Sequence, residues 1–379
     1  MSLHSRYPAI SDLKHRAKRR IPHFVWEYLD SATGDHKTQQ RNRAMLDKLL
    51  FEPSVLHGEF EPELRTSLFG VDHALPFGVA PVGMSGLIWP DAERKLARAA
   101  TVAKIPYCLS TVATQTPEYI GPDVGGNGWF QLYPPRDVDI RHDMLKRARD
   151  NGFSTLVLTV DVPVASRRER QTRSGLTNPP RLTPRLLAQV ARCPVWAAGI
   201  AKTGMPRMRT LDKYTADLAD QGALSSTAHV GYLLRTAPDW EYLQWLRDAW
   251  HGTLVVKGVM RAADAEKMQS CGVDGIWVSN HAGRQFDGAL SSIEALPSIR
   301  ASTTLPIIFD SGIEGGLDIL RARALGADFV MLARAFHYAL GALGDAGPAH
   351  LVDMLRLDMI ANMGQLGARS LDNLASRLI

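Results

Sequence analysis

Short apolar, β-prone runs recur along this chain, each closed by a turn or a polar residue. They fall at residues 77–80, 107–110, 129–132, 155–160, 254–256, 275–278, 306–309 and 328–332. Runs this short, flanked by turn residues, predict strands buried on both faces. Between them lie stretches with alanine and leucine at helical spacing, at 91–103, 137–151, 262–271 and 316–325. Gly152, Gly272 and Gly326 follow three of these, where a chain leaving a helix often turns left-handed. Eight strands alternating with helices predict a parallel sheet in the α/β class. Eight repeats in one chain of this size predict a (β/α)8 TIM barrel rather than an open sheet. No Gly-x-Gly-x-x-Gly follows the first strand, which counts against a dinucleotide-binding Rossmann domain.

The strand ends are evenly spaced except after Val160, where the gap is much longer. That gap predicts an insertion after strand four, over residues 166–238, before a helix at 240–250. Long insertions in barrels usually lie on the face where loops leave the strand C-termini. Residues 1–60 read as an N-terminal helical cap, and the chain reads as helical from Leu351. The whole is expected to be one domain, 1–379, with 166–238 as an inserted loop region.

The net charge is +5, and it is unevenly spread. Residues 170–211 hold eight Lys/Arg and no Asp or Glu, which leaves the rest of the chain at −3. Leu182, Leu186, Leu187 and Val190, then Pro194-Val195-Trp196, form an apolar stripe among those basic residues. Two readings stay open: a solvated lid, or a monotopic contact with an anionic membrane surface. Aromatics are not interleaved with the basic residues as a stacking platform requires, so no nucleic acid is expected. Cys108, Cys193 and Cys271 are widely spaced and odd in number, which predicts neither a disulfide framework nor a zinc site. The start of the chain lacks a signal-peptide pattern, and no apolar run approaches the ~20 residues that span a bilayer. A cytoplasmic location is expected, with peripheral attachment at the inner face if the stripe meets lipid.

In a barrel, polar residues at strand C-termini converge on one mouth. Here those ends carry Pro81-Val82-Gly83, Ser110, Gln131 and Tyr133, Thr159 and Asp161, Lys257, Ser279 and His281, Asp310 and Gly312, and Arg334. His281 and Arg284 stand three positions apart just past the run 275–278. A base beside a carboxylate clamp is what oxidation of a 2-hydroxy acid needs. A lone histidine is more often structural, and Tyr28 or Tyr133 alone would be core filler. Lys257 closes an apolar strand, and a buried lysine needs an anionic neighbour.

The segment 279–288, with Leu158-Thr159-Val160-Asp161, Arg167-Arg168-Glu169 and Phe130-Gln131-Leu132-Tyr133, resembles the FMN-dependent 2-hydroxy-acid dehydrogenase/oxidase family. The resemblance covers nearly the whole chain. It implies His281 as the base, Asp161 as its partner, and Arg168, Arg284 and Tyr28 on the substrate carboxylate. It places Tyr133 near the substrate oxygen. It implies that FMN is held by the backbone of Pro81, Val82 and Gly83 and by Ser110, Gln131, Thr159 and Ser279, with Lys257 at the flavin's N1/O2 edge. Asp310 would meet the ribityl chain, and Gly312 and Arg334 the phosphate. Three departures stand out: Ala282 and Ala333 where glycine is common, and Glu314 where many members carry a phosphate-binding arginine.

The resemblance also implies a homotetramer and an acceptor that is quinone or oxygen, with quinone favoured if the insertion contacts a membrane. The Thr111-Val112 pair resembles that of bacterial lactate dehydrogenases, which puts lactate first; Val112, small where some glycolate oxidases carry tryptophan, leaves room for mandelate or another larger acid second. A non-redox FMN isomerase and an inactive membrane-binding barrel are the rival readings. The carboxylate clamp counts against the first of them.

Overall fold

The computed structural model of the protein describes residues 2–175, 183–214 and 236–379. Eight parallel strands, β3 (Phe77–Val79), β4 (Cys108–Ser110), β5 (Gly128–Leu132), β6 (Phe153–Thr159), β7 (Thr253–Val259), β8 (Gly275–Val278), β9 (Ile307–Phe309) and β10 (Phe329–Leu332), form one sheet. Its order is β3-β10-β9-β8-β7-β6-β5-β4. A parallel bridge from Val79 to Tyr107 brings the two edges together. The TIM barrel expected from the eight runs is therefore observed, each strand within three residues of its predicted limits.

The lumen is packed. Trp129, Val157, Val255, Trp277, Ile308 and Phe329 fill it from successive strands, as barrel interiors require. A hairpin that the sequence pattern did not signal, β1 (Thr66–Leu68) and β2 (Val71–His73), closes the end where the strands begin. Its Leu68 and Phe69 belong to the same lumen cluster. A side chain at Gly275 would meet the Phe69 ring at 2.6 Å, so that plug needs glycine there.

The outer layer repeats strand by strand. It comprises α6 (Ala92–Val102), α8 (Val138–Asp150), α12 (Trp240–Ala249), α13 (Ala262–Ser270), α14 (Ser292–Ser302), α15 (Gly316–Ala324) and α16 (Arg334–Leu343), joined by the short α5 (Ser85–Ile88) and α7 (Pro117–Ile120). Gly152, Gly272 and Gly326 take φ of +81°, +76° and +100°, as the sequence predicted for helix exits. The long α17 (Gly347–Leu366) closes the chain and starts four residues before the expected Leu351. The N-terminal cap is helical as expected: α1 (Leu3–Arg6), α2 (Ile10–Arg20), α3 (His23–Asp30) and α4 (Lys37–Asp47). Helix α2 packs along α16.

The insertion contains α9 (Glu169–Arg173), α10 (Pro184–Ala191) and α11 (Pro194–Thr203). Its apolar stripe is split. Leu186 and Trp196 are buried in the main core. Trp196 meets Phe24 edge-on, and its Nε1 donates to the Leu87 carbonyl at 3.0 Å. Leu187, Val195 and Met205 stay exposed beside the exposed Arg185, Arg192 and Lys202. Leu182 lies outside the described residues. Leu186 and Trp196 thus anchor the insertion to α3 and α5, and the exposed part of the stripe is the smaller set Leu187, Pro194 and Val195.

Candidate active site

The strand C-termini open into a cavity of about 710 Å³, within the usual size for a cofactor and small-ligand site. Fifteen of the seventeen expected site residues line it; Asp161 and Ser279 do not.

Asp161 sits behind His281. Its Oδ1 lies 2.9 Å from His281 Nδ1 and its Oδ2 lies 3.4 Å from Lys257 Nζ. Burial pushes this carboxyl up, but His281 and Lys257 outweigh burial and hold it down at about 2. A carboxylate only accepts hydrogen bonds, so Nδ1 carries the proton and Nε2 keeps its lone pair. Burial holds the His281 pKa below its ordinary value; Asp161 pulls it up and Lys257 pushes it down. Both His281 and Ala282 have φ of +54°, a costly conformation for residues other than glycine. The turn is held by Asn280, whose Oδ1 accepts from the Gly283 amide, and by Ser311, whose Oγ accepts from the Ala282 amide at 3.0 Å. Asn280 is in turn locked to Asn42 of α4 by two side-chain bonds of 2.9 and 2.7 Å.

Lys257 is buried, and the anionic neighbours its position demanded are present. Its Nζ donates to Ser279 Oγ at 2.9 Å and lies 3.5 Å from Asp310. Burial pushes the ammonium down, but Asp161 and Asp310 more than offset it, so its pKa is raised and it stays charged. Ser279 was expected to touch the flavin. Instead it is fully buried, donating to Asp310 Oδ1 at 2.7 Å while accepting from Lys257 and from the His281 amide. Its hydroxyl is saturated by the protein, so its part is to brace Lys257 and the His281 turn. Asp310 lines the cavity, but both its oxygens already accept from the protein, Oδ2 from Trp277 Nε1 at 2.9 Å and Oδ1 from Ser279 and Ser311.

Arg284 is deeply set. Its guanidinium donates to the carbonyls of Tyr28, Leu29 and Ser31 at 2.8, 3.0 and 2.8 Å. These are orphan carbonyls at the end of α3, so Arg284 caps that helix. Burial, with the charges of Arg168 and Arg334, presses its pKa well down. Two neighbouring guanidiniums make this corner attractive to an anion. Tyr28, at the helix end thus held, donates its hydroxyl to the Gly83 carbonyl at 2.8 Å. Arg168 enters from the insertion with φ of +46° and bonds Ser166.

Ser110 Oγ donates to Gln131 Oε1 at 2.9 Å, and the Tyr133 amide donates to Thr111 Oγ1 at 3.0 Å. Gln131 Nε2 and Thr159 Oγ1 are buried, line the cavity and have no hydrogen-bond partner among the described residues. Unmade buried bonds of this kind cost about 1–3 kcal/mol each. Two such groups beside a buried lysine fit the polar edge of a flat heteroaromatic group such as the isoalloxazine of FMN. Gly312 has φ of +95°, and a side chain there would meet Leu46 and Asn42. It lines the cavity, as Glu314, Ala333 and Arg334 do. The sequence reading missed Lys14, Asn42 and Arg43 of the cap and Gln171 and Met208 of the insertion, which also line the cavity. These are distant in sequence from every strand end and carry no local signal. Among the described residues no His/Cys/Asp/Glu cluster could hold a metal.

The family described as FMN-dependent dehydrogenase matches residues 17–379. The chain is 38% identical over 374 residues to an L-lactate dehydrogenase of Ectopseudomonas mendocina (strain ymp), covering 98% of each. It is 38% identical to an L-lactate dehydrogenase of Caulobacter sp. (strain K31), covering 96% of each. Its fold matches the crystal structure of the monotopic membrane protein (S)-mandelate dehydrogenase with a TM-score of 0.92, at 32% identity over 98% of this chain and 99% of that one. A mandelate oxidase matches with a TM-score of 0.81 at 31% identity, covering 98% of each.

Proposed function

The chain belongs to the FMN-dependent dehydrogenase family, and we propose that it oxidises a small L-2-hydroxy acid, lactate first, to the 2-oxo acid, with His281 as the base and a quinone as final acceptor. Dependence on FMN and action on 2-hydroxy acids come with the family and its relatives. The observation that carries the residue assignments is the bond between His281 Nδ1 and Asp161, in a cavity wall shared with Arg168, Arg284, Tyr28 and Tyr133.

Bound FMN supplies the two-electron redox chemistry. Gln131, Thr159, Ser110 and Lys257 would hold its ring, the backbone of Pro81, Val82 and Gly83 would lie along it, and Gly312 and Arg334 would take its phosphate. Arg168 and Arg284 hold the substrate carboxylate by charge-assisted bonds, with Tyr28 beside them and Tyr133 on the substrate oxygen. That clamp orients the 2-carbon and presents a substrate proton to His281 Nε2. As Nε2 takes the proton, Asp161 stabilises the imidazolium. The Lys257 charge favours negative charge nearby on the ring.

Lactate is the first substrate because relatives 38% identical over nearly the whole chain bear that name. A larger acid such as mandelate is the second reading, favoured by the small Val112 in the cavity wall. Quinone is favoured by a peripheral membrane contact through the exposed Leu187, Val195 and Met205 and their basic neighbours. Among the described residues no helix is long and apolar enough to cross a membrane.

The test is an anaerobic visible spectrum titrated with L-lactate, L-mandelate and glycolate, then exposed separately to oxygen and to a soluble quinone. Bleaching by L-lactate at the lowest concentration, with faster return in quinone, is expected. A bound flavin that none of the three acids bleaches would overturn the proposal.

A further inference from the structure

Directly behind the cavity wall, between its first and last strands, lies a buried polar chain that the chemistry above does not use. Strands β3 and β10 are hydrogen-bonded neighbours. The loop after β3 gives Val82 to the cavity, and the turn after β10 gives Ala333 and Arg334. Ser85 and His337 stand behind them, 2% and 1% exposed. Ser85 Oγ lies 2.9 Å from the Val82 carbonyl and 2.8 Å from His337 Nε2. His337 Nδ1 lies 2.9 Å from the Ala333 carbonyl. Val82, Ser85, His337 and Ala333 thus form an unbroken link from one wall to the other.

We propose that Ser85 and His337 are positioning residues for FMN, a latch that fixes the spacing between the Val82 loop and the Ala333–Arg334 turn. This rests on reading the cavity as the FMN site. A buried histidine that merely filled space would not need both ring nitrogens aimed at polar groups on two separate cavity walls. Burial holds the His337 pKa down at about 4, so the ring is neutral near pH 7 and has one N–H. Ser85 adds one O–H. A carbonyl only accepts, so the ring N–H is on Nδ1 and donates to Ala333. Nε2 is then the acceptor, and the single Ser85 hydroxyl proton is shared between it and the Val82 carbonyl. When the hydroxyl turns to Nε2, the Ser85–His337 bond joins the Val82 loop to the Ala333–Arg334 turn. Removing either side chain takes that bond away.

The experiment measures FMN affinity of apoprotein by flavin fluorescence, with thermal unfolding of the apoprotein alongside. Ser85→Ala removes one oxygen and keeps the packing. His337→Asn keeps a donor toward Ala333 and loses the reach to Ser85. Each is expected to weaken FMN about 5- to 10-fold, the effect of one net hydrogen bond. The double variant should be no weaker than the weaker single, because both cut one link. Unchanged affinity in Ser85→Ala, or losses that multiply in the double variant, would overturn the latch. Thr159→Val, across the barrel, tests the reading underneath. If that variant and Ser85→Ala both leave affinity unchanged, FMN lies elsewhere. If only Thr159→Val weakens it, the latch alone fails.

Discussion

The Asp161 carboxylate meets His281 Nδ1 at 2.9 Å with one oxygen and faces Lys257 at 3.4 Å with the other. One buried anion therefore answers two cations with opposite needs. In the proposed mechanism Lys257 stays charged to favour electron density on a flavin, and His281 is neutral before reaction and charged after it. Asp161 serves both, because a carboxylate held at about 2 remains ionised across the working range.

The pH dependence follows from that pair. The base works only when neutral, so kcat/KM rises with pH through the His281 pKa, which burial keeps below about 6.5. Asp161 pulls that pKa up. In Asp161→Asn the pull is gone, and the acid limb of kcat/KM should move to lower pH. The maximal rate should still fall, by about 100-fold or more, because the imidazolium loses its counter-charge. His281→Gln should retain FMN while losing most substrate-driven bleaching. A limb that shifts upward in Asp161→Asn, or near-normal bleaching in His281→Gln, would remove the base assignment.

Arg284 has two duties that a lysine cannot share. Its fork spans three carbonyls of the α3 end while facing the cavity. An ammonium is a point charge without that geometry. Arg284→Lys should raise KM for L-lactate by about 10- to 100-fold, the loss expected for one charged hydrogen bond. FMN affinity should change little. The apoprotein should also melt earlier, since carbonyls at the end of α3 lose their donor. An unchanged KM beside a lowered melting point would reduce Arg284 to a helix cap.

What the sequence disclosed depended on how local each signal was. The eight strands were legible because burial on both faces makes each one a short apolar run. The β1–β2 hairpin was not, because Thr66–Leu68 and Val71–His73 are three residues each, too short for any period. The strand ends named the cavity residues well, since barrel topology alone brings them together. They did not say which valences were already filled. Ser279 stands at the mouth by position, yet Lys257 and Asp310 consume its hydroxyl. The link from Ser85 to His337 joins residues 252 positions apart, a distance at which no local pattern speaks.

Glu314 is the departure with the clearest expected consequence. It lines the cavity with Gly312 and Arg334, the residues proposed to take the FMN phosphate. Its amide is held by Asp318 at 2.9 Å, which fixes the backbone and leaves the side chain to act by charge. A carboxylate there opposes a phosphate. Glu314→Arg should tighten FMN about 10-fold in low salt, and the gain should shrink as the screening length falls toward ~10 Å at 0.1 M. An equal or weaker affinity at every salt concentration would mean that Glu314 does not face the phosphate.

The membrane proposal needs a narrower test than removal of residues 170–211. Deleting that segment would also remove Leu186 and Trp196 from the core, and with them the bond to Leu87 and the contact with Phe24. It would take away Arg170, which pairs with Glu27 and Asp30 of α3, and Met208, which lines the cavity. Loss of vesicle binding after such a deletion could come from a damaged fold. Leu187 and Val195 are 55% and 57% exposed, so charging them disturbs little packing. Leu187→Glu with Val195→Glu should lower binding to vesicles containing anionic lipid by about 10-fold or more, since each change removes apolar contact and adds repulsion. Bleaching by L-lactate and reoxidation by a soluble quinone should be unchanged, because neither residue lines the cavity. Undiminished vesicle binding in the double variant would separate this insertion from any membrane, and the argument for quinone would lose its structural support.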